Sequence, residues 1–181
     1  MHGFHRVLLD VWREAGRHLE IGQSTEIITE MLLGHIPLGQ LVVRGLDPRR
    51  ETIETVAIGL PRERASWSTA TPCAGADLRR LASWAKKGGM LQHSAGATLN
   101  PRLRAVVPFA ADRDLLVGPL SGPDDSFGFL VFLAGEGHAF TRRHRELAEV
   151  LLDPFSAALA NDQRLREMAL LRDAAEAENR S

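Results

Sequence analysis

Cys73 and His93 are the residues of this sequence whose side chains could together supply a nucleophile and its base. A cysteine attacks as its thiolate, and a neighbouring imidazole can take up the thiol proton. Nothing else in the sequence would orient His93 for that task, and a small cysteine is more often a buried, unreactive side chain. We therefore expect a structural Cys73 and a chain that is not an enzyme.

The spacing of residues gives equally little support for a metal site or a nucleotide site. Among the seven histidines, only His2 and His5 are tightly spaced, and they lie at a chain end, where the backbone usually frays. The sequence contains no Gly-x-x-x-x-Gly-Lys-Ser/Thr loop, the segment that cradles nucleotide phosphates. The basic run 142–145 is typical of a solvated helix face, with contact to an acidic partner as the alternative.

The charge balance limits the classes of partner that this chain is expected to bind. Lys and Arg number 22 and Asp and Glu 23 among 181 residues, so no whole-molecule field would draw the chain to nucleic acid or to an anionic membrane. No apolar run approaches the roughly 20 residues of a membrane span, and a single cysteine permits no internal disulfide. We expect a cytoplasmic protein without direct contact to DNA or membrane.

Hydrophobic periodicity divides the chain into helical and extended segments. Apolar residues recur every three or four positions over 4–19 and again over 27–36, which predicts two helices. The β-rich runs 41–43 and 52–58 flank Asp47-Pro48-Arg49-Arg50 and predict a hairpin. A short helix is predicted at 77–87, between the irregular stretches 61–75 and 92–104. Residues 141–181 favour one long helix, interrupted only by Pro154.

Three further strands are predicted at 105–110, 115–120 and 127–134. The last is apolar at both alternating sets of positions, so it should lie at the centre of a sheet with helices on at least one side. Pro119 cannot donate to a strand ladder, and we expect it at an edge or a bulge. The element order predicts an α+β fold, with a central antiparallel sheet, helices packed on its faces and a long C-terminal helix that overhangs the domain.

Residues 114–166 resemble the end of a GAF domain. The likeness lies in the strand ending Gly118-Pro119-Leu120, the strand 127–132, the helix start Phe140-Thr141 and the exit 157–165. In this resemblance Phe140 anchors the chain and Thr141 caps the helix. Because His144 stands where the family often has an acidic residue, we expect no capping box. The resemblance implies a GAF/PAS-like sensor domain over residues 1–160.

The tail from Asp162 to Ser181 is similar to the linker between a GAF sensor and an AAA+ ATPase in bacterial sigma-54-dependent activators of the Fis family. The resemblance implies that residues 161–181 form a signalling helix that leads to an AAA+ domain outside this chain. The three–four spacing of residues after Phe155 favours a coiled-coil seam, and we expect a homodimer through the terminal helices. The predicted seam consists of Ala158, Asn161, Leu165, Met168, Arg172 and Ala175. A competing register uses Leu171 and Ala174, and a helix that packs only on its own domain is the alternative.

The resemblance also locates a ligand pocket. GAF domains generally bind small molecules between the sheet and the irregular middle segment, which here spans about residues 62–104. Core packing is the alternative for the tryptophans, and a solvated position is the alternative for the arginines. The candidate lining consists of Trp67, Thr71, Cys73, Trp84, His93 and Ser94, with Arg79 or Arg102 able to pair with an anion.

The ligand itself is not identified, because the ligand-specific signatures of the family are absent. The chain lacks the several cysteines of methionine-sulfoxide-reductase GAF proteins and the Asn-Lys-x-x-Phe pattern of cyclic-nucleotide GAF domains. Ala74 follows Cys73 where bilin-attaching domains have histidine. Because iron-binding GAF sensors exist, a metal site is an alternative. We expect a ligand-sensing regulatory domain; the alternatives are a dimerisation or interaction module whose pocket has degenerated, and a small enzyme.

Overall fold

The computed structural model describes residues 2–17, 20–60, 70–107, 112–122 and 125–180. Within these ranges the helices and strands alternate irregularly along the chain. The helices are α1 His2–Arg17, α2 Ile21–Leu32, α3 Gly75–Lys87 and α4 Arg142–Asn179. The strands are β1 Leu38–Asp47, β2 Thr52–Gly59, β3 Ala70–Pro72, β4 Leu91–His93, β5 Leu115–Ser121 and β6 Phe127–Ala134. A short 3₁₀ helix, Pro101–Leu103, follows β4.

The strands form one antiparallel sheet in the order β3-β2-β1-β6-β5-β4. β1 and β6 lie at its centre, and every residue of β6 is buried. A strand that is apolar on both faces can be buried only where both faces of the sheet are covered. The predicted α+β fold, with an antiparallel sheet and a central 127–134 strand, is therefore confirmed.

The two faces of the sheet carry separate apolar cores. Leu41, Val43, Leu130 and Phe132 pack with α1, α2 and α4 on one face. The alternate residues, among them Val42 and Val131, pack with α3 on the opposite face, which we call the α3 face. This division follows from the two-residue period of a strand, which sends successive side chains to opposite sides.

The turn between β1 and β2 confirms the predicted hairpin. The Asp47 carboxylate accepts hydrogen bonds from the backbone N–H groups of Arg49 and Arg50, at 3.0 and 3.2 Å. Such a side-chain bond to the following backbone is what makes aspartate a favourable turn residue. The β1–β2 pairing shifts its register between Val43 and Arg44, which marks a bulge in the strand pair.

The middle of the chain differs from the prediction in two respects. Residues 105–107, predicted as the start of a strand, form a turn in which Val107 N–H donates to the Leu103 carbonyl at 2.7 Å; residues 108–110 lie outside the described ranges. This part of the strand prediction is wrong because a short apolar run indicates burial but not backbone conformation. Residues 70–72 and 92–93 lie in the stretches predicted as irregular, but they belong to the outermost strands β3 and β4.

Pro119 lies on β5 beyond the residues that pair with β4, which end at Val117. Its missing N–H therefore costs no bond to β4. Among the described residues β5 is an open edge at this point, as predicted for Pro119.

The C-terminal helix α4 contains 38 residues and continues through Pro154. At 1.5 Å per residue it is about 57 Å long. Its first half packs on the sheet, and the residues from Arg166 to Arg180 are all exposed, as expected for a helix that overhangs the domain. No helix of the described part of the chain is both long and apolar enough to cross a membrane.

The prediction that α4 begins without a capping box is wrong. The Thr141 hydroxyl accepts the His144 backbone N–H at 3.4 Å, and His144 Nδ1 accepts the Thr141 backbone N–H at 2.9 Å. A neutral imidazole offers one nitrogen lone pair as an acceptor, so histidine can replace the usual Glu or Gln at this position.

Candidate functional site

Two polar side chains of β1 are buried on the α3 face. Gln40 pairs with Leu133 and Arg44 with Phe129, and both partners belong to the apolar core of that face. Because residues directly opposite each other in an antiparallel pair share a side of the sheet, Gln40 and Arg44 point the same way. Burial of such groups is costly unless hydrogen bonds compensate for it. Their position on a central strand therefore marks this face as a candidate site.

Arg44 is the largest fully buried side chain in the described part of the chain. Its Nη1 donates to Thr55 Oγ1 at 2.7 Å, and its Nη2 donates to Thr71 Oγ1 at 2.6 Å. Since Thr55 lies on β2 and Thr71 on β3, the guanidinium spans two strands. Burial lowers the Arg44 pKa to about 10, against a smaller opposing effect from the Glu54 carboxylate. The side chain thus remains charged at neutral pH.

Four of the predicted pocket residues lie on or beside this face. Thr71 is half-buried and bonded to Arg44. Cys73 and Trp84 are buried in the same apolar core, and His93 is buried on β4, opposite Leu115. The structure thus brings these residues to one side of the sheet, although they are spread across its whole width.

Cys73 and His93 lie at opposite edges of the sheet. Cys73 follows β3, at one edge, and His93 ends β4, at the other edge. With neighbouring strands about 4.8 Å apart, they are separated by roughly 24 Å along the sheet. Burial, assisted by the charge of Asp77, raises the pKa of the Cys73 thiol to about 11. The pair is thus not arranged as a nucleophile and its base.

Trp84 covers the middle of the α3 face. Its ring packs on Phe129, with ring centroids 4.8 Å apart, and its Nε1 donates to the Gly89 carbonyl at 2.8 Å. At this point the space between α3 and the sheet is filled by the protein's own side chains. Trp67, the other predicted aromatic of the pocket, lies outside the described residues.

The other three pocket candidates are exposed. Arg79 projects from α3, Ser94 follows β4, and Arg102 belongs to the 3₁₀ helix. The structure does not bring their side chains into the buried part of the α3 face. Among the described residues, no group of three or more His, Cys, Asp or Glu side chains is placed to hold a metal ion.

A cleft of about 470 Å³ lies at the end of the sheet where β1 begins and β6 ends. Its polar lining is supplied by Gln40, Arg113, Glu136 and His138. Gln40 lies four residues before Arg44 on β1, or about 13 Å along a strand, so the cleft and the Arg44 position are separate. No sequence motif indicated this cleft, because its lining comes from distant segments.

The segment that contains β4 is bonded to the start of α4. Asp114, a buried carboxylate, accepts the backbone N–H of Ala95 at 2.9 Å and that of Phe140 at 3.2 Å. It therefore joins the loop after β4 to the residue that precedes the helix cap.

Two further hydrogen bonds strengthen this junction. Gln92 Nε2 donates to the Phe140 carbonyl at 3.3 Å, and Arg145 Nη2 donates to the Met90 carbonyl at 3.0 Å. We call the set formed by Met90, Gln92, Asp114, Phe140 and Arg145 the β4–α4 latch. Since β4 belongs to the strands that carry the α3 face, the latch connects that face to the long helix.

The predicted dimer seam divides into a buried and an exposed part. Ala158 packs in the domain's own core, and Leu165 is half-buried. Asn161, Met168, Arg172 and Ala175 are exposed, and Met168 is 65% exposed. Arg172 forms an ion pair with Glu176 on the same helix, at 3.8 Å. A partner could therefore use only the part of the seam that follows Ala158.

No protein-family model matches the sequence, and no curated protein is significantly similar to it. Solved structures, however, superpose over most of the chain. The phycoerythrobilin-bound GAF domain of a cyanobacterial phytochrome is 13% identical with a TM-score of 0.62, over 88% of this chain and 95% of that one. The chain has the GAF fold.

Two other solved structures extend this comparison. The free methionine-R-sulfoxide reductase of Neisseria meningitidis, in complex with its substrate, is 16% identical with a TM-score of 0.57, over 86% of this chain and 89% of that one. The nlh2 GAF domain of A. aeolicus, in an inactive state, is 8% identical with a TM-score of 0.58, over 90% of this chain and 96% of that one. At these identities the likeness concerns the fold alone.

Proposed function

We propose that this GAF domain is a ligand-sensing regulatory module whose output element is α4. The observation that carries the proposal is the β4–α4 latch, because it joins strands of the α3 face to the first turn of a helix that leaves the domain. A ligand that moves β4 would shift the balance between two positions of α4. Allosteric coupling requires that the ligand binds one of two such states better than the other. Two of the similar structures hold a small molecule, a phycoerythrobilin and a substrate.

We further propose that the module acts on an AAA+ ATPase of a sigma-54-dependent activator, in a cytoplasmic homodimer. The resemblance of residues 162–181 to the linker of those activators supports this context. So does the exposure of α4 after Arg166, since an output helix needs a free surface for its partner. In this proposal the domain binds a small molecule and neither catalyses a reaction nor contacts DNA.

The test is a screen of small metabolites by thermal unfolding, followed by hydrogen exchange on each compound that raises the unfolding temperature. We expect a true ligand to change exchange at residues 90–95 and in the first turn of α4, because the latch couples these segments. The core of β6 should exchange as before. A compound that stabilises the domain without any change in α4 exchange would contradict the sensor function.

A second function is favoured by one observation. The direct packing of Trp84 on Phe129 fills part of the α3 face, as expected for an interaction module whose pocket has degenerated. That alternative predicts that the screen finds no stabilising compound, while the chain still associates through its helices.

A further inference from the structure

One line of side chains along α4 is exposed from the middle of the helix almost to its end. Its members are three, four or seven positions apart, and all of them are exposed: Val150, Ala157, Asn161, Met168, Leu171 and Ala175. We call this set the α4 stripe. Steps of three and four residues keep side chains on one side of a helix, and they are the spacing of a two-stranded coiled-coil seam.

The exposed large apolar side chains of α4 concentrate on this stripe. Val150, Met168 and Leu171 are 41%, 65% and 66% exposed. Leu170 is the exception within α4, since it is also exposed but lies on another side of the helix. Removing aligned apolar side chains from water is the main force in the association of helices. The stripe therefore has the composition of a face that a partner covers.

The domain itself excludes other parts of α4 from such a contact. Ala158 packs in the domain's own core, and Leu165 is half-buried. At the first turn of α4, the Arg143 guanidinium lies over the Phe4 ring of α1, 5.1 Å from its centroid. Because Arg143 stands seven residues before Val150, α1 already occupies the line of the stripe there. A partner can therefore pair with residues 150–175, a length of about 38 Å.

Charges beside the stripe select the orientation of a second copy. In a parallel pair, the residue just before one seam position faces the residue five places later on the other helix. Glu167 precedes Met168, and Arg172, five places later, follows Leu171. A parallel copy thus brings opposite charges together on both sides of the seam, whereas in an antiparallel pair Glu167 would not meet Arg172. Within one chain Arg172 also pairs with Glu176 at 3.8 Å, but an exposed pair of this kind contributes little.

Two polar residues limit the strength of the seam. Asn161 occupies a seam position, where asparagine fixes the register and the number of helices at a cost in stability. Arg164 is also exposed and falls on the same line, between Asn161 and Met168. The stripe therefore suits a pairing that forms and dissociates, as a regulatory contact must.

We propose that the α4 stripe binds a second copy of this chain as a parallel, in-register pair of helices. This inference rests on the homodimer of the proposed function and names its surface and orientation. It differs from the seam predicted from the sequence, because Ala158 and Leu165 face the domain and Arg172 lies beside the seam. The pairing would bring the ends of the two α4 helices together.

Cysteine cross-linking tests the surface and the orientation. Ala157→Cys and Ala175→Cys lie at distant points of the stripe, and each should give a disulfide-linked dimer under mild oxidation, because in a parallel pair each cysteine faces its own copy. Ala177→Cys is the matched control, since Ala177 is also exposed but lies about 200° around the helix from Ala175. The parent chain, with its buried Cys73, should not cross-link.

Two results of this experiment would overturn the proposal. Equally fast cross-linking of Ala177→Cys and Ala175→Cys would show that the stripe is not the contact. Cross-linking of only one of Ala157→Cys and Ala175→Cys would show that the helices are not parallel and in register.

Charge reversal tests the contact between Glu167 and Arg172. Glu167→Arg and Arg172→Glu should each raise the dimer dissociation constant by about tenfold in analytical ultracentrifugation, because twofold symmetry repeats the pair on both sides of the seam. The double variant should restore the parent value. Asp173→Arg, an exposed charge reversal away from the stripe, is the control. A double variant that dissociates as readily as the single variants would contradict the parallel pairing.

The outcomes also separate this inference from the sensor proposal. If the stripe cross-links but no small molecule changes hydrogen exchange in α4, the seam holds and the sensor function fails. If a small molecule changes α4 exchange while the parent chain stays monomeric at high micromolar concentration, the sensor function holds and the seam fails.

Discussion

At the scale of single residues, burial controls the chemistry of Cys73. Its thiol pKa, raised to about 11 from an ordinary 9.0, leaves little thiolate at pH 8. Since the thiolate is the reacting form, we expect native Cys73 to react with iodoacetamide roughly a hundredfold more slowly than in urea-unfolded chain at the same pH. The measurement is the alkylation rate by mass spectrometry. Equal rates in the two states would show that Cys73 is accessible and reactive.

His144 makes the helix cap sensitive to pH. Its Nδ1 accepts a hydrogen bond only in the neutral form, and burial together with the charge of Arg143 lowers its pKa below 6.5. The unfolded chain therefore takes up a proton at a higher pH than the folded chain does. The contribution of the cap, about 1 kcal/mol, should be complete above pH 6.5 and should fall as the pH drops from 6.5 towards the folded-state pKa.

The check on this prediction is urea unfolding of the His144→Gln variant at pH 7.5 and pH 5. Glutamine can accept the same hydrogen bond without titrating, so the loss of unfolding free energy between the two pH values should shrink. His138→Gln, at an exposed position, is the control and should behave like the parent chain. An unchanged pH dependence in His144→Gln would exclude the cap as its source.

The resemblance to GAF domains, and not the residue spacing, proposed Cys73, Trp84 and His93 as pocket residues. The structure buries all three on the side of the sheet that carries α3. Arg44 could not be found this way, because its burial depends on the pairing of β1 with both β2 and β6. The β1–β6 pairing joins segments that are distant in sequence and leaves no local signal.

At the scale of elements, four strands and the helices were predicted, whereas the two three-residue strands were not. β2, β6 and α4 each span eight or more residues, and β1 was predicted from the apolar run 41–43 within the strand Leu38–Asp47. β3 and β4 contain three residues each, which is too few for a period to emerge. Their pairing is imposed by the neighbouring strands.

The β4–α4 latch can be tested through its carboxylate. In Asp114→Ala both acceptor oxygens and the charge are lost, so neither N–H donor keeps its bond to this side chain. We expect the free energy of unfolding to fall by about 1–3 kcal/mol, the cost of leaving a buried group without its bond. Hydrogen exchange should become faster at Ala95 and Phe140 together. Asp112→Ala, at an exposed position, is the control.

The result that would contradict the latch is faster exchange at only one of these two positions in Asp114→Ala. In that case the carboxylate stabilises one segment alone and does not couple β4 to the helix.

At the scale of the whole molecule, the overhanging end of α4 should be the dimer contact. Met168→Glu places a charge in the predicted seam and should convert a dimer to a monomer in analytical ultracentrifugation. Leu170→Glu is the matched control, since Leu170 is as exposed as Met168 but lies about 200° around the helix.

Dissociation by Leu171→Glu and not by Met168→Glu would show that the competing register is used. A parent chain that stays monomeric at high micromolar concentration would contradict the dimer.

The order of strands in the sheet has a consequence for how the chain folds. β1–β2 and β5–β6 are local hairpins, whereas the central β1–β6 pairing joins residues about ninety positions apart. Bringing these distant segments together costs conformational entropy before their stabilising contacts form. The docking of the two hairpins should therefore limit the folding rate. We expect Val131→Ala, at the centre of this pairing, to slow refolding in stopped-flow experiments, whereas a change in the exposed part of α4 should leave the rate unaltered. During synthesis on the ribosome, β1 could form its central pairing only after β6 has been synthesised.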